Sequence, residues 1–190
     1  ETFSQFNENW AFQPEILAEY AKHYETGEVI PDSLVAKINN AGKFNQGFMT
    51  SELCAASILD MKWHELTEED LAKLSEGDQA ANVAEFEKKV CKEMGLIDEI
   101  IPRYRTTYFN HIFNSGYSAG YYSYLWAEVL DKDAFEYFQQ QGIYNPEVAL
   151  KFRQTFLEKG GSEEPMTLYL SFRGAQPDPG ALLRARGLTE

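Results

Sequence analysis

Positive charge is scarce in this 190-residue sequence: 17 Lys and Arg stand against 30 Asp and Glu, a formal net charge of −13. Such a chain repels phosphate backbones and anionic lipid, so nucleic acid and acidic membranes are excluded as partners. Long hydrophobic runs are lacking too. No apolar stretch approaches the roughly 20 residues that span a bilayer, and the N-terminus lacks the basic-then-apolar pattern of a secretory signal. Cysteine is limited to Cys54 and Cys91, far apart and without a partner motif, so buried thiols are the preferred reading and no compartment is identified. Walker loop, dinucleotide fingerprint and nucleophile elbow are all missing. "WHELTEE" contains His-Glu, but Glu68 stands where a second histidine is needed, so it is not the His-Glu-x-x-His zinc signature. His64 and Glu68 are instead expected to pair across one helical turn.

What is present is helical periodicity. Apolar residues recur at spacings of three and four almost throughout, with no run of alternating residues, which predicts an all-α fold. Phe3, Phe6 and Trp10 mark a first helix interrupted near Pro14, after which Ile16, Leu17, Tyr20 and Tyr24 continue the pattern. "TGEVIPDS" reads as a loop; Pro31 and Asp32 start a helix that Gly42 ends, and Leu53, Ala56 and Leu59 to Trp63 belong to another. Thr67 with Asp70 predicts a capping box, and a helix from Asp78 stops at Gly95. Beyond Pro102 the longest helix is expected from about Tyr117 to Gln141. Asn145 and Pro146 open the next, ended by Gly160 and Gly161; Ser162 starts a last one that stops near Gly174, and "AQPDPG" leads into a tail. With no repeat and no long linker, residues 1–190 read as a single helical domain fragment. The chain begins with Glu1 inside a helical pattern, which predicts a truncated or processed start.

The densest chemistry lies in "HIFNSGYSAGYYSYLW", His111 to Trp126, which has four tyrosines and no charge. On a helix Tyr117, Tyr121 and Tyr124 would share one face, beside a small face of Gly116, Gly120 and Ser123. Phenols donate hydrogen bonds to carbonyls and developing oxyanions, and small residues let a peptide backbone approach. From composition alone an aromatic core stripe at a tight helix crossing is preferred, although glycine inside a helix costs roughly 1 kcal/mol against alanine and asks for a reason. His111, just ahead of "NSG", is either a donor on a mobile loop or a structural histidine. Glu1, Gln5 and Glu8 share a face that reads as solvated, with a metal-binding carboxylate as the alternative.

Several stretches in order, "SQFNENWAFQPE", "YAKHYETGEVIPDSL", "FNQGFMTSELCAASILDMKWH", "PRYRTTYFNHIFNSGYSAGYYSYLWAEVL" and "FRGAQPDPGALLRARGL", resemble the C-terminal portion of the thimet oligopeptidase family of zinc metallopeptidases. The resemblance covers the whole chain and is greatest to the bacterial peptidyl-dipeptidase (dipeptidyl carboxypeptidase) branch. It implies the helical C-terminal part of that family's catalytic domain. Glu1, Ser4, Gln5, Glu8 and Trp10 fall on the family's Glu-x-Pro-Ser-Gln-x-x-Glu-x-Trp pattern, which puts Glu1 at the third zinc-ligand position, with Phe3 in place of the usual Pro. His111, Tyr117 and Tyr124, with Tyr121 nearby, correspond to the side chains that grip substrate and stabilise the tetrahedral intermediate. The six-position step from His111 to Tyr117, one more than in mammalian members, fits the peptidyl-dipeptidase branch.

The implied activity is zinc-dependent release of C-terminal dipeptides from short peptides. Internal cleavage by an oligopeptidase is the near alternative, and a non-catalytic helical peptide-binding domain the distant one. Because His-Glu-x-x-His is missing, the chain is expected to be inactive alone and to hold no Zn2+ without the N-terminal part of the same enzyme. A cytoplasmic location is expected, with the periplasm as the alternative.

Overall fold

The computed structural model describes residues 1–189, and among them the regular structure is helical. In chain order the α-helices are α1 (Thr2–Ala11), α2 (Pro14–Tyr20), α3 (Asp32–Lys43), α4 (Gln46–His64), α5 (Glu68–Leu74), α6 (Gln79–Glu93), α7 (Asn110–Phe113), α8 (Ser123–Gln141), α9 (Pro146–Phe152), α10 (Pro165–Arg173) and α11 (Pro179–Ala185). One isolated antiparallel bridge pairs Lys22 with Val29. No described helix is long and apolar enough to cross a membrane.

The punctuation explains most boundaries. Thr67 and Asp70 form the reciprocal capping box of α5, the Asp78 side chain caps α6, and Asn145 caps α9 ahead of Pro146. Gly174, at φ 76°, takes the left-handed turn that ends α10. Other boundaries differ from the sequence reading: α2 ends at Tyr20, short of Tyr24, and α3 runs through Gly42 to Lys43. α10 starts at Pro165 rather than Ser162, because proline supplies a preset φ and lacks the N–H that a first helical residue leaves unbonded anyway. "AQPDPG" is no tail: Asp178 accepts from the Gly180 N–H at 2.8 Å and Pro179 opens α11. The long helix begins at Ser123, not Tyr117.

The chain forms two compact units, Glu1–Phe44 with the stretch from Trp126 onward, and Asn45–Leu125. In the first, α1 presents Phe6 to a core that includes Phe138, Phe152, Phe156, Leu168 and Phe172. Trp10 meets Phe135 and Phe138 edge-on, with ring centroids 5.1 and 5.3 Å apart, a favourable geometry for aromatic quadrupoles. Two buried acids of α8 are tied down here. Asp133 accepts from the Tyr169 hydroxyl and from Arg173, and Asp131 accepts from Asn9 and pairs with Lys132 at 2.9 Å. Burial pushes the Asp131 carboxyl up, against the pull of Lys132 and Asn9.

In the second unit Leu53 and Ala56 of α4 pack with Phe109, Ile112 and Tyr121. Glu87 of α6 is buried and accepts from the Thr106 N–H at 2.8 Å and hydroxyl at 3.0 Å, and pairs with Arg105 at 2.6 Å. Trp63 donates its indole N–H to the same Thr106 hydroxyl at 3.0 Å. The segment before α7 is thus held on α4 and α6, which places His111.

Phe172 has no exposed surface, so Phe172→Ala should cost about 3–5 kcal/mol through lost burial and a residual cavity. Tyr24 is 88% exposed, and Tyr24→Ala should stay within about 0.5 kcal/mol of the parent. Urea unfolding of the two variants checks both.

Candidate functional site

Tyr117, Tyr121 and Tyr124 were expected on one helical face; the structure brings them together differently. Residues 117–122 form successive turns instead of a helix, with Gly120 N–H bonded to the Tyr117 carbonyl at 2.9 Å and Ser123 N–H to the Gly120 carbonyl at 3.0 Å. Ala119 lies at φ 53°, a left-handed conformation that a residue with a Cβ adopts only at a cost, and a helix cannot continue through it. The loop ahead is closed by Ser118, whose hydroxyl donates to the Ile112 carbonyl at 2.6 Å, and by Tyr117 N–H on the His111 carbonyl at 3.3 Å.

Despite the different backbone, all four expected side chains meet. Tyr117 and Tyr124 stack with centroids 5.0 Å apart and planes 20° apart. His111 lies edge-on to Tyr117 at 5.9 Å, to Tyr121 at 5.5 Å and to Tyr124 at 6.3 Å. His111, Tyr117 and Tyr124 are partly exposed, whereas Tyr121 is 2% exposed and packs from behind against Phe109 and Tyr104. Core stripe and exposed surface therefore coexist within one cluster. Tyr104, stacked on Phe109 at 5.1 Å and 4.9 Å from His111, also belongs to it.

The turn rests on a residue that the sequence reading did not single out. Asp60, on α4, has no exposed surface; its Oδ1 accepts the Ala119 N–H and its Oδ2 the Tyr121 N–H, each at 2.9 Å. His64 Nδ1 lies 2.9 Å from Asp60 Oδ1 and 2.8 Å from the Asp60 carbonyl oxygen. Both neighbours are acceptors, so Nδ1 carries the proton. His64 thus pairs one turn back with Asp60 rather than forward with Glu68. A signal was available: Asp60 is in helical phase with the apolar Leu53 and Ala56, where an acid must be buried or the pattern must break.

Glu1 lies in the other unit, exposed, at the N-cap of α1, where its carbonyl accepts from the Gln5 N–H at 3.0 Å and the Ser4 hydroxyl at 2.8 Å. Its carboxylate is a hard oxygen donor suited to one coordination position of zinc. Among the described residues no group of three or more His, Cys, Asp or Glu could hold a metal ion.

Burial pushes the Tyr121 hydroxyl up to about 12 from 10.0, with Tyr104, Tyr124 and Glu52 adding to the effect and Arg103 opposing it. A raised folded-state pKa gives stability that is complete below pH 10 and is lost as pH rises towards about 12. Unfolding free energies measured across that window should fall less steeply for Tyr121→Phe than for the parent.

Comparison with known proteins shows the family. The family described as Peptidase family M3 matches residues 1–188. The chain is similar to the dipeptidyl carboxypeptidase of Escherichia coli (strain K12), 43% identical over 187 residues that cover 97% of this chain and 26% of the relative. Oligopeptidase A of the same strain is 38% identical over 185 residues, again 97% of this chain and 26% of the relative. Saccharolysin of Saccharomyces cerevisiae (strain ATCC 204508 / S288c) is 30% identical over 188 residues, 97% and 25% respectively. The chain thus spans a quarter of the length of the curated relatives it matches. On a match over nearly its whole length, the chain belongs to peptidase family M3.

Proposed function

We propose that this chain is the C-terminal portion of a zinc metallopeptidase that hydrolyses short peptides and releases dipeptides from their free C-termini. The observation that carries the reading is the partly exposed group of His111, Tyr117 and Tyr124, an imidazole and two stacked phenols held by a buried support. Their O–H and N–H groups are donors suited to a peptide carbonyl and to the oxyanion formed when water adds to it. Donors oriented before the reaction stabilise that charge without reorganising as it develops. Tyr121, buried against Phe109 and Tyr104, backs the wall.

Zinc is the cofactor of this reading, and Glu1 is the residue here that would hold it. When bound, zinc polarises the scissile carbonyl and lowers the pKa of water. The remaining ligands and the general base belong to the rest of the polypeptide, so this chain by itself is inactive. The similarity to a dipeptidyl carboxypeptidase favours dipeptide release; the similarity to oligopeptidase A supports internal cleavage as the second reading.

In the intact polypeptide, Tyr124→Phe should lower kcat by about 10²–10³, with a smaller change in KM, as loss of one oxyanion donor does. Unchanged turnover would remove the oxyanion role. Amidating the substrate's C-terminus should abolish release of dipeptides, whereas an internally cleaving enzyme would tolerate it; mass spectrometry of the products decides. Chelator-sensitive hydrolysis by the chain alone would overturn the claim that it is inactive.

A further inference from the structure

We propose that Asp60 is a positioning residue that holds the 117–122 turn in the shape that presents Tyr117 and Tyr124; the consequence for turnover rests on the functional reading above. The turn's other hydrogen bonds, from Gly120 to Tyr117, from Ser123 to Gly120 and from Ser118 to Ile112, leave the Ala119 and Tyr121 amides to Asp60. Ala119 sits at φ 53°, a conformation that L residues leave when unconstrained, and its N–H is bonded to Asp60 Oδ1 at 2.9 Å. Two residues on, Tyr121 N–H is bonded to the other oxygen, Oδ2, at the same distance. One carboxylate therefore spans the left-handed residue and clamps the backbone on either side of Gly120.

The carboxylate is itself oriented. It has no exposed surface, and its helix fixes where it starts. His64, one turn along α4 with a side chain 28% exposed, donates from Nδ1 to Oδ1 at 2.9 Å. Two amides and an imidazole compensate the buried charge, and each sets one direction at its oxygens. If the anchor is removed, a buried amide donor at Tyr121 and a partly buried one at Ala119 lose their acceptor, and Ala119 loses its reason to stay at positive φ. The rings attached at 117 and 121 then move with the backbone, and Tyr117 no longer stacks on Tyr124.

Asp60→Asn keeps the shape but sets an NH2 donor against one of the two amide donors. In the intact polypeptide, hydrogen exchange of the peptide covering residues 117–122 should rise about tenfold or more, while α6 exchanges as before. kcat should fall about 100-fold with KM changed less, because the donors are displaced and not deleted. A double-mutant cycle with Tyr124→Phe separates positioning from general stability: a positioning role makes the two losses overlap, and full multiplication of the two factors would overturn it. Unchanged exchange at 117–122 would overturn the proposal whatever the turnover. Raised exchange with turnover intact in both Asp60→Asn and Tyr124→Phe would uphold the anchor and overturn the functional reading instead. If Asp60→Asn does not fold, His64→Ala, at a partly exposed site, removes one of the carboxylate's donors; it should raise exchange in the same segment severalfold, and no rise there would overturn the proposal.

Discussion

A carboxylate withdrawn from water must be met by donors, and that requirement organises both units of this acidic protein. Asp60, Glu87, Asp131 and Asp133 are each 5% exposed or less. The effective cost of burying such an ion is several kcal/mol, so an unmatched one would be protonated or unfold its surroundings. Each is met by groups distant in sequence. Glu87 gathers Arg105 and Thr106, Asp133 gathers Tyr169 and Arg173, Asp131 takes Asn9, and Asp60 takes the amides of Ala119 and Tyr121. Apolar contacts tolerate small shifts in register, whereas a carboxylate with two oriented oxygens does not. These four acids therefore fix which residue of one segment faces which residue of another, and the apolar core fills the space they leave. At Asp131 burial outweighs the donors it is given, and its carboxyl is raised despite Asn9 and Lys132.

Local signals carried the helices well because they act locally. A side-chain cap, a proline at the first helical position and a left-handed glycine each satisfy or remove backbone groups within a few residues, so Thr67, Asp78, Asn145 and Gly174 could be placed without knowing the fold. The expectation that "AQPDPG" leads into a tail misses α11, although the same signal, Asp178 followed by Pro179, stands in that stretch.

The tyrosine segment is more instructive. Its periodicity placed three phenols on one helical face, and they do lie together, but through turns and a left-handed alanine that no helical pattern contains. Grouping survived because the rings pack on Phe109 and Tyr104, whereas the backbone was decided by a carboxylate about sixty residues earlier. A long-range hydrogen bond leaves almost no trace in a single sequence. The trace it left was an acid in the apolar phase of α4. His64 was likewise assigned the wrong partner because Asp60 and Glu68 are equally spaced from it, and only burial distinguishes them.

The same anchor explains how one aromatic cluster can be both core and surface in this all-α part of an M3 peptidase domain. A wall of exposed phenols on a regular helix would need its opposite face for packing, and the phenols would take their directions from the helix alone. Turns free the segment from that periodicity: Tyr121 can point inward while Tyr117 and Tyr124, on either side of it, remain stacked and accessible. Such a backbone lacks the continuous hydrogen-bond ladder of a helix and includes a conformation costing of order 1–3 kcal/mol at Ala119. Charged acceptors return roughly 1.5–3 kcal/mol per hydrogen bond, enough to hold that strain when two amides share one carboxylate. The irregular turn is therefore stable because Asp60 is buried beneath it, and the directions of the phenols follow from the oxygens of an acid that never reaches the surface.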